Sequence, residues 1–153
     1  MGAAQPIGVD MNDSAPNIAA VWPDKDFGVG IAWKAGGDSI VDLSGHLSRY
    51  AIFLPLRADA QRFAEVEIGE WGWCIRWSDE MEIAADTLWR LALEQGAAWL
   101  TSWRRAHRMT QAAAARALGV SPRMWRYYEA GSHLLPKTVR LAAIGLDAQA
   151  RAA

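Results

Sequence analysis

Thr110-Gln111-Ala112-Ala113-Ala114-Ala115-Arg116-Ala117-Leu118-Gly119-Val120-Ser121-Pro122-Arg123-Met124-Trp125-Arg126-Tyr127-Tyr128-Glu129-Ala130-Gly131 reads as two short helices joined by a tight turn. The Thr110 hydroxyl can accept a hydrogen bond from an orphan backbone N–H at the first helix start. The alanine run that follows has the highest helix propensity available. Gly119 ends that helix, since glycine takes positive φ without a Cβ clash. Ser121 and Pro122 restart the chain: serine caps, and proline at the first helical position loses no hydrogen bond. Gly131 stops the second helix. On that helix Arg123, Arg126, Tyr127 and Ala130 follow i, i+3, i+4, i+7 and share one side. Trp125 and Tyr128 point elsewhere, with Leu118 and Val120 as core companions. An apolar back and an Arg/Arg/Tyr front suit the DNA major groove, where arginine binds guanine in bidentate fashion.

Outward from this pair, Ala98 to His107 predicts a helix with Trp99, Leu100 and Trp103 on one face. Arg104, Arg105 and Arg108 occupy the rest. Arg105 and Arg108 fit either a solvated surface or phosphate contacts. Ser132 to Leu135 is a loop. Pro136 starts a last helix through Ala143, with Val139, Leu141 and Ile144 as core candidates and Lys137 and Arg140 placed to touch phosphates. Residues 148–153 are expected to fray.

Residues 99–147 resemble the helix-turn-helix domain of the phage-repressor type, the Cro/C1 or Xre class. The residues that carry the likeness are Arg104, Thr110-Gln111, Ala115, Leu118-Gly119-Val120-Ser121, Glu129 and Gly131. The resemblance implies an all-α bundle of four to five helices. It implies that Pro122, Arg123, Arg126 and Tyr127 face the bases and that Gln111 binds a phosphate. It also implies an internal ion pair between Arg104 and Glu129. Arg105, Arg116, Ser121, Lys137 and Arg140 complete the expected phosphate contacts. Ala114 stands where the class usually has Leu, and Arg108 where a Gly commonly ends the preceding helix.

Charge divides the chain at the same place. Residues 1–96 hold 7 Lys/Arg against 15 Asp/Glu, a net of −8, while residues 97–153 hold 9 against 2, a net of +7. A basic module beside an acidic one argues for two functional units, and the basic one has the footprint of a phosphate binder. At 52% hydrophobic and 22% charged, the composition suits a folded chain.

The first half reads as α+β: a small antiparallel-sheet domain with short helices. Residues 1–16, rich in Gly, Ala, Pro, Asn and Asp, predict a flexible tail. Asn17–Trp22, Phe27–Trp33 and Ser39–Leu43 predict a three-stranded meander, with Phe27, Val29, Ile31 and Trp33 alternating toward one face. Gly28-Val29-Gly30 is no dinucleotide fingerprint, because Trp33 occupies the third glycine position and no helix follows. A short helix or turn near Ser44, an apolar connection at Phe53–Leu56, a helical turn or two over Ala58–Phe63 and a strand at Ala64–Ile68 come next. Trp71, Trp73, Ile75 and Trp77 are spaced by two, which predicts one strand with four large side chains in a sheet core. The competing reading is an aromatic platform for a ligand or partner. Met81–Ile83 is a short strand and Ala84–Leu93 a helix. The boundary is placed near Gln95-Gly96, giving domains at 17–95 and 96–153 joined by nearly contiguous helices.

This half resembles the small bacterial domain DUF2442. The residues that carry the likeness are Ile40-Val41-Asp42-Leu43, Phe53-Leu54-Pro55-Leu56, Phe63, Ile75-Arg76-Trp77 and Ala84-Ala85-Asp86-Thr87-Leu88. The resemblance implies a compact α+β fold and no particular activity.

One cysteine, Cys74, leaves no intrachain disulfide framework and no cysteine zinc site. The three histidines lack ligand spacing, so neither metal nor cofactor is expected. No signal peptide and no apolar run long enough for a membrane span are read, which points to the cytoplasm. No catalytic constellation is legible, so a non-enzymatic role is expected. The leading expectation is a sequence-specific bacterial transcription regulator that binds double-stranded DNA as a homodimer. The alternative is an antitoxin-like module that binds a protein partner through its acidic half, with DNA binding secondary. A third reading gives the sheet domain a small ligand that changes its neighbour's DNA affinity.

Overall fold

The structure, a computed structural model, describes residues 16–153 and is α+β. The expected tail at 1–16 falls almost wholly outside the described residues. The chain divides into two compact units, one ending at Ala92 and the other beginning at Leu93.

In the first unit, β1 (Ile18–Pro23), β2 (Gly28–Trp33) and β3 (Asp38–Asp42) form an antiparallel sheet in the order β1-β2-β3. The register pairs Val29 with Val41 and Val21 with Ile31. Val29, Ile31 and Trp33 are buried, as the alternation predicts. Gly30, on the other face, lies under the Trp22 ring, where a Cβ would approach to 2.0 Å. Then come α1 (Ser44–Arg49), a single turn at Ala51–Phe53, α2 (Leu54–Ala58) and α3 (Ala60–Phe63). Phe53–Leu56 is therefore helical rather than a plain connection: Pro55 sits in the first turn of α2, where its missing N–H is harmless. Asp59 caps α3 by accepting from the Gln61 and Arg62 amides. A second antiparallel sheet, β4 (Glu67–Ile68), β5 (Cys74–Arg76) and β6 (Glu82–Ala84), completes the unit. Trp33 meets Trp89 edge to face at 5.0 Å.

The tryptophan strand is the main correction. Only Cys74–Arg76 is strand, because Glu70–Gly72 forms a tight turn with positive φ at Trp71 (59°) and Gly72 (74°). That turn breaks the period-2 alternation. Ile75 is buried and Trp77 partly so, its indole N–H donating to the Phe63 carbonyl (2.7 Å). Trp71 and Trp73 are instead 68% and 65% exposed. The turn is pinned: Asn17 Nδ2 donates to the Trp71 carbonyl at 2.7 Å and Lys34 Nζ at 3.3 Å. A Cβ at Gly72 would come within 2.2 Å of the Ile18 carbonyl oxygen, so that position needs glycine for space as well as for φ.

The helix α4 runs unbroken from Ala85 to Ala106. The sequence predicts instead two helices meeting near Gln95-Gly96. Gly96 is buried inside α4, where a Cβ would stand 3.2 Å from Leu135 Cβ. It serves close approach rather than termination. From Leu93 onward, α4 is joined by α5 (Gln111–Leu118), α6 (Pro122–Ala130) and α7 (Lys137–Ala152), four helices in all among the described residues. Their core holds Leu100, Trp103, Ala114, Ala115, Trp125, Leu135, Val139 and Ala143. Trp125, wholly buried, is the largest side chain buried in the same core as the small Ala114. The C-terminal helix is longer than predicted, and Leu141 and Ile144 are exposed (54% and 49%), while Val139 and Ala143 face inward. Arg108, at the helix-ending position, takes φ 54°, a left-handed conformation that costs an L-residue about 1–2 kcal/mol.

Candidate nucleic-acid interface

The local signals of α5 and α6 act as their residue types dictate. Thr110 Oγ1 accepts from the Ala113 amide (3.1 Å), and Ser121 Oγ from the Met124 amide (3.1 Å). Gly119 and Gly131 end the two helices at φ 72° and 73°. Between α5 and α6 lie only Gly119, Val120 and Ser121.

One carboxylate holds the arrangement. Glu129 Oε2 accepts from Arg104 Nε at 2.6 Å and also from the Trp125 indole N–H; Oε1 accepts from Arg104 Nη2 at 3.0 Å and Gln111 Nε2 at 3.1 Å. Donors from α4, α5 and α6 thus converge on one side chain. Burial alone would raise the Glu129 carboxyl. The hydrogen bonds from Arg104, Trp125 and Gln111, with the Arg104 charge, outweigh it and bring the pKa down to about 2. Arg104 Nη1 also donates to the Met109 carbonyl (3.1 Å), closing the bend at Arg108.

With its back fixed, α6 presents Pro122, Arg123 and Arg126 to solvent and Tyr127 half-buried. Arg123 Nε donates to the Tyr127 hydroxyl (2.9 Å), and its guanidinium carbon lies 5.6 Å from that ring's centroid. His133 stacks on the Tyr127 ring, with centroids 4.7 Å apart and planes at 13°. Sequence reasoning missed His133 because it lies beyond Gly131, off the helical period.

The expected phosphate contacts are placed unevenly. Arg105, Arg116, Ser121 and Lys137 are exposed. Ser121 Oγ accepts in its cap, which leaves its hydroxyl hydrogen to donate elsewhere. Gln111 has one amide hydrogen committed to Glu129. Arg140 is drawn inward: its guanidinium lies 4.4 Å over the Trp99 ring, and burial lowers its pKa. A second unforeseen set is Trp103, His107 and Asp147. Asp147 Oδ2 accepts from the Trp103 indole (3.1 Å), and its Oδ1 lies 2.7 Å from His107 Nε2. The only signal in the sequence is the i, i+4 spacing of Trp103 and His107.

No curated protein matches the chain. A crystal structure of a candidate DNA-binding protein from Nitrosomonas europaea ATCC 19718 is similar at 29% identity, over 86% of each chain, with a TM-score of 0.49. At that score the likeness carries neither the fold nor the role of one protein to the other. The family model for DUF2442, a protein of unknown function, matches residues 18–94. The chain belongs to the DUF2442 family.

Proposed function

We propose that residues 93–153 bind double-stranded DNA sequence-specifically through a helix-turn-helix of the phage-repressor type, and that the protein is a bacterial transcription regulator. The observation that carries this reading is α6 itself. Glu129 fastens its back to α4 and α5, while Arg123 and Arg126 stand exposed on its front. Arginines held on a rigid helix can bind guanine O6 and N7 in bidentate fashion, and Arg116, Arg105 and Lys137 supply cations for phosphates. One module of this size grips few base pairs, so two copies on a pseudo-palindromic site are proposed. Fluorescence anisotropy of the full chain, on its own upstream DNA and on random duplex across a salt series, tests the reading. Preference for one duplex, with log affinity falling about 0.9 per neutralised phosphate against log salt, supports it. Equal, salt-insensitive weak binding to both sinks it. Sedimentation with and without DNA tests the dimer.

Exposure of Trp71 and Trp73 on a pinned turn favours a second reading, in which the first unit binds a protein partner. A W71A/W73A variant that still captures the same partner as the parent chain would rule that surface out.

A further inference from the structure

The helix α7 packs into its unit through Val139 and Ala143, with Leu146 partly buried beside them. Leu141, Ile144, Gly145 and Ala148 follow i, i+3, i+4, i+7 on another face, and all four are exposed. Among the described residues from 93 to 153, only Leu141 and Ile144 are large, apolar and exposed. A Cβ on Gly145 would meet nothing within 4 Å, so the space over this face is open. The face also lacks charge, although residues 97–153 hold 9 Lys/Arg against 2 Asp/Glu. The two charged residues between Lys137 and Arg151 are engaged elsewhere. Arg140 lies over the Trp99 ring, and Asp147 is held by Trp103 and His107. Such a surface offers a phosphate nothing, and it is where two basic modules approach with least repulsion.

The order of sizes along the face says what covers it. Two large side chains, Leu141 and Ile144, are followed by two small ones, Gly145 and Ala148. A two-fold axis between positions 144 and 145 runs two copies of α7 antiparallel. Leu141 then lies on the partner's Ala148, and Ile144 on the partner's Gly145. Each bulge meets a hollow, which is the self-complementarity that a two-fold contact demands. The contact is small. A stable dimer buries about 800 Å² per partner, with about 20–30 residues a side. One face of a 16-residue helix falls well short of that. The same pairing brings Lys137 toward the partner's Arg151, a like charge at each end. On DNA, phosphates offset that repulsion and hold two copies side by side, which raises their effective concentration. We infer that this face of α7 receives a second copy of the chain and that the contact forms only on DNA. The inference rests on the DNA-binding reading of α6. It names the surface that joins the two copies and makes their binding cooperative.

The test uses the full-length protein, its own upstream duplex, and a shortened duplex that takes up one copy. Without DNA the parent is expected to sediment as a monomer at micromolar concentration. On the longer duplex the second copy should bind about 5- to 150-fold more tightly than the first. Leu141→Gln with Ile144→Gln leaves net charge unchanged. It should bind the short duplex as the parent does and lose the cooperativity on the longer one. Gly145→Gln fills the hollow, and glutamine is the better helix former, so its thermal midpoint should not fall. It too should lose cooperativity and keep parental affinity for the short duplex. Cooperativity retained in either variant overturns the inference and leaves DNA binding standing. A parent that is already dimeric without DNA overturns it as well. So does weakened binding of Gly145→Gln to the short duplex, which would put this face against DNA. No duplex binding by the parent overturns both this inference and the reading beneath it.

Discussion

Arg104 grips Glu129 with two parallel hydrogen bonds, Nε to Oε2 at 2.6 Å and Nη2 to Oε1 at 3.0 Å, and both side chains are largely buried (16% and 7% exposed). Breaking such a pair leaves the other charge buried and uncompensated, which costs about 3–5 kcal/mol. Arg104→Ala should therefore lower the stability of the four-helix unit by about that much, read as protection of its amides in hydrogen exchange. Loss confined to the last turn of α4 would contradict it. The pH sign follows from a lowered carboxyl. The stabilisation is present above the ordinary glutamate pKa near 4.3 and is lost as pH falls toward about 2. Glu129→Gln should flatten that acid loss.

The His107 ring nitrogens both face acceptors, the Trp103 carbonyl at 2.8 Å and Asp147 Oδ1 at 2.7 Å. Only the doubly protonated ring donates to both. The Trp103 carbonyl contact first, then the hydrogen bond and charge of Asp147, raise its pKa above the ordinary value despite some desolvation. The sign is opposite to that of Glu129: this stabilisation is full below about pH 6.5 and fades as pH rises through the elevated folded value. Thermal midpoints between about pH 5.5 and 8.5 should fall more in the parent than in His107→Gln. Parallel curves would show that the contacts of His107 with Asp147 and the Trp103 carbonyl contribute no pH-dependent stability.

Arg123→Ala and Arg126→Ala should each cost about 1–3 kcal/mol on a specific duplex and relax preference at one base position. Arg116→Ala should weaken all duplexes alike and reduce the salt slope by about 0.9. Competition anisotropy on specific and random DNA separates the two behaviours. If Arg116→Ala changed sequence preference and Arg126→Ala did not, the assignment of the front of α6 would be inverted.

Trp71→Gly should stabilise the first unit slightly, by about 1 kcal/mol, although it deletes the largest side chain there is. The residue is 68% exposed and its φ of 59° is a conformation that glycine adopts freely. A loss of more than about 1 kcal/mol in urea unfolding would show that the indole contributes packing.

What was legible in the sequence was legible where local chemistry decides. The caps at Thr110 and Ser121, the glycine stops at Gly119 and Gly131, and the Val29-Ile31-Trp33 face all form as their residue types require. The same logic failed at Trp71 and Trp73, because spacing by two does not reveal a turn whose cause is Gly72 pressed against the Ile18 carbonyl, 54 residues back. Gly96 failed for a related reason: its neighbour Leu135 is distant in sequence, so a packing glycine looked like a helix stop. In the candidate interface, the arginines on α6 followed from period alone. Arg140 and His133 did not, since one turns in to Trp99 and the other stacks on Tyr127 through contacts that no period encodes.

The division between the two units at Ala92 and Leu93 lies inside α4. Cutting the chain there severs i to i+4 hydrogen bonds in mid-helix. The upstream piece is left with carbonyls that have no donors, and the downstream piece with amides that have no acceptors. Neither half has a cap residue waiting at that point, since Leu91, Ala92 and Leu93 accept no backbone hydrogen bond through their side chains. The downstream fragment would fray from the cut inward, toward Gly96 and its contact with Leu135, and the upstream fragment from the cut back toward Ala85. Proteolysis should accordingly spare this junction in the intact chain, and separate halves are best made with α4 retained whole on each.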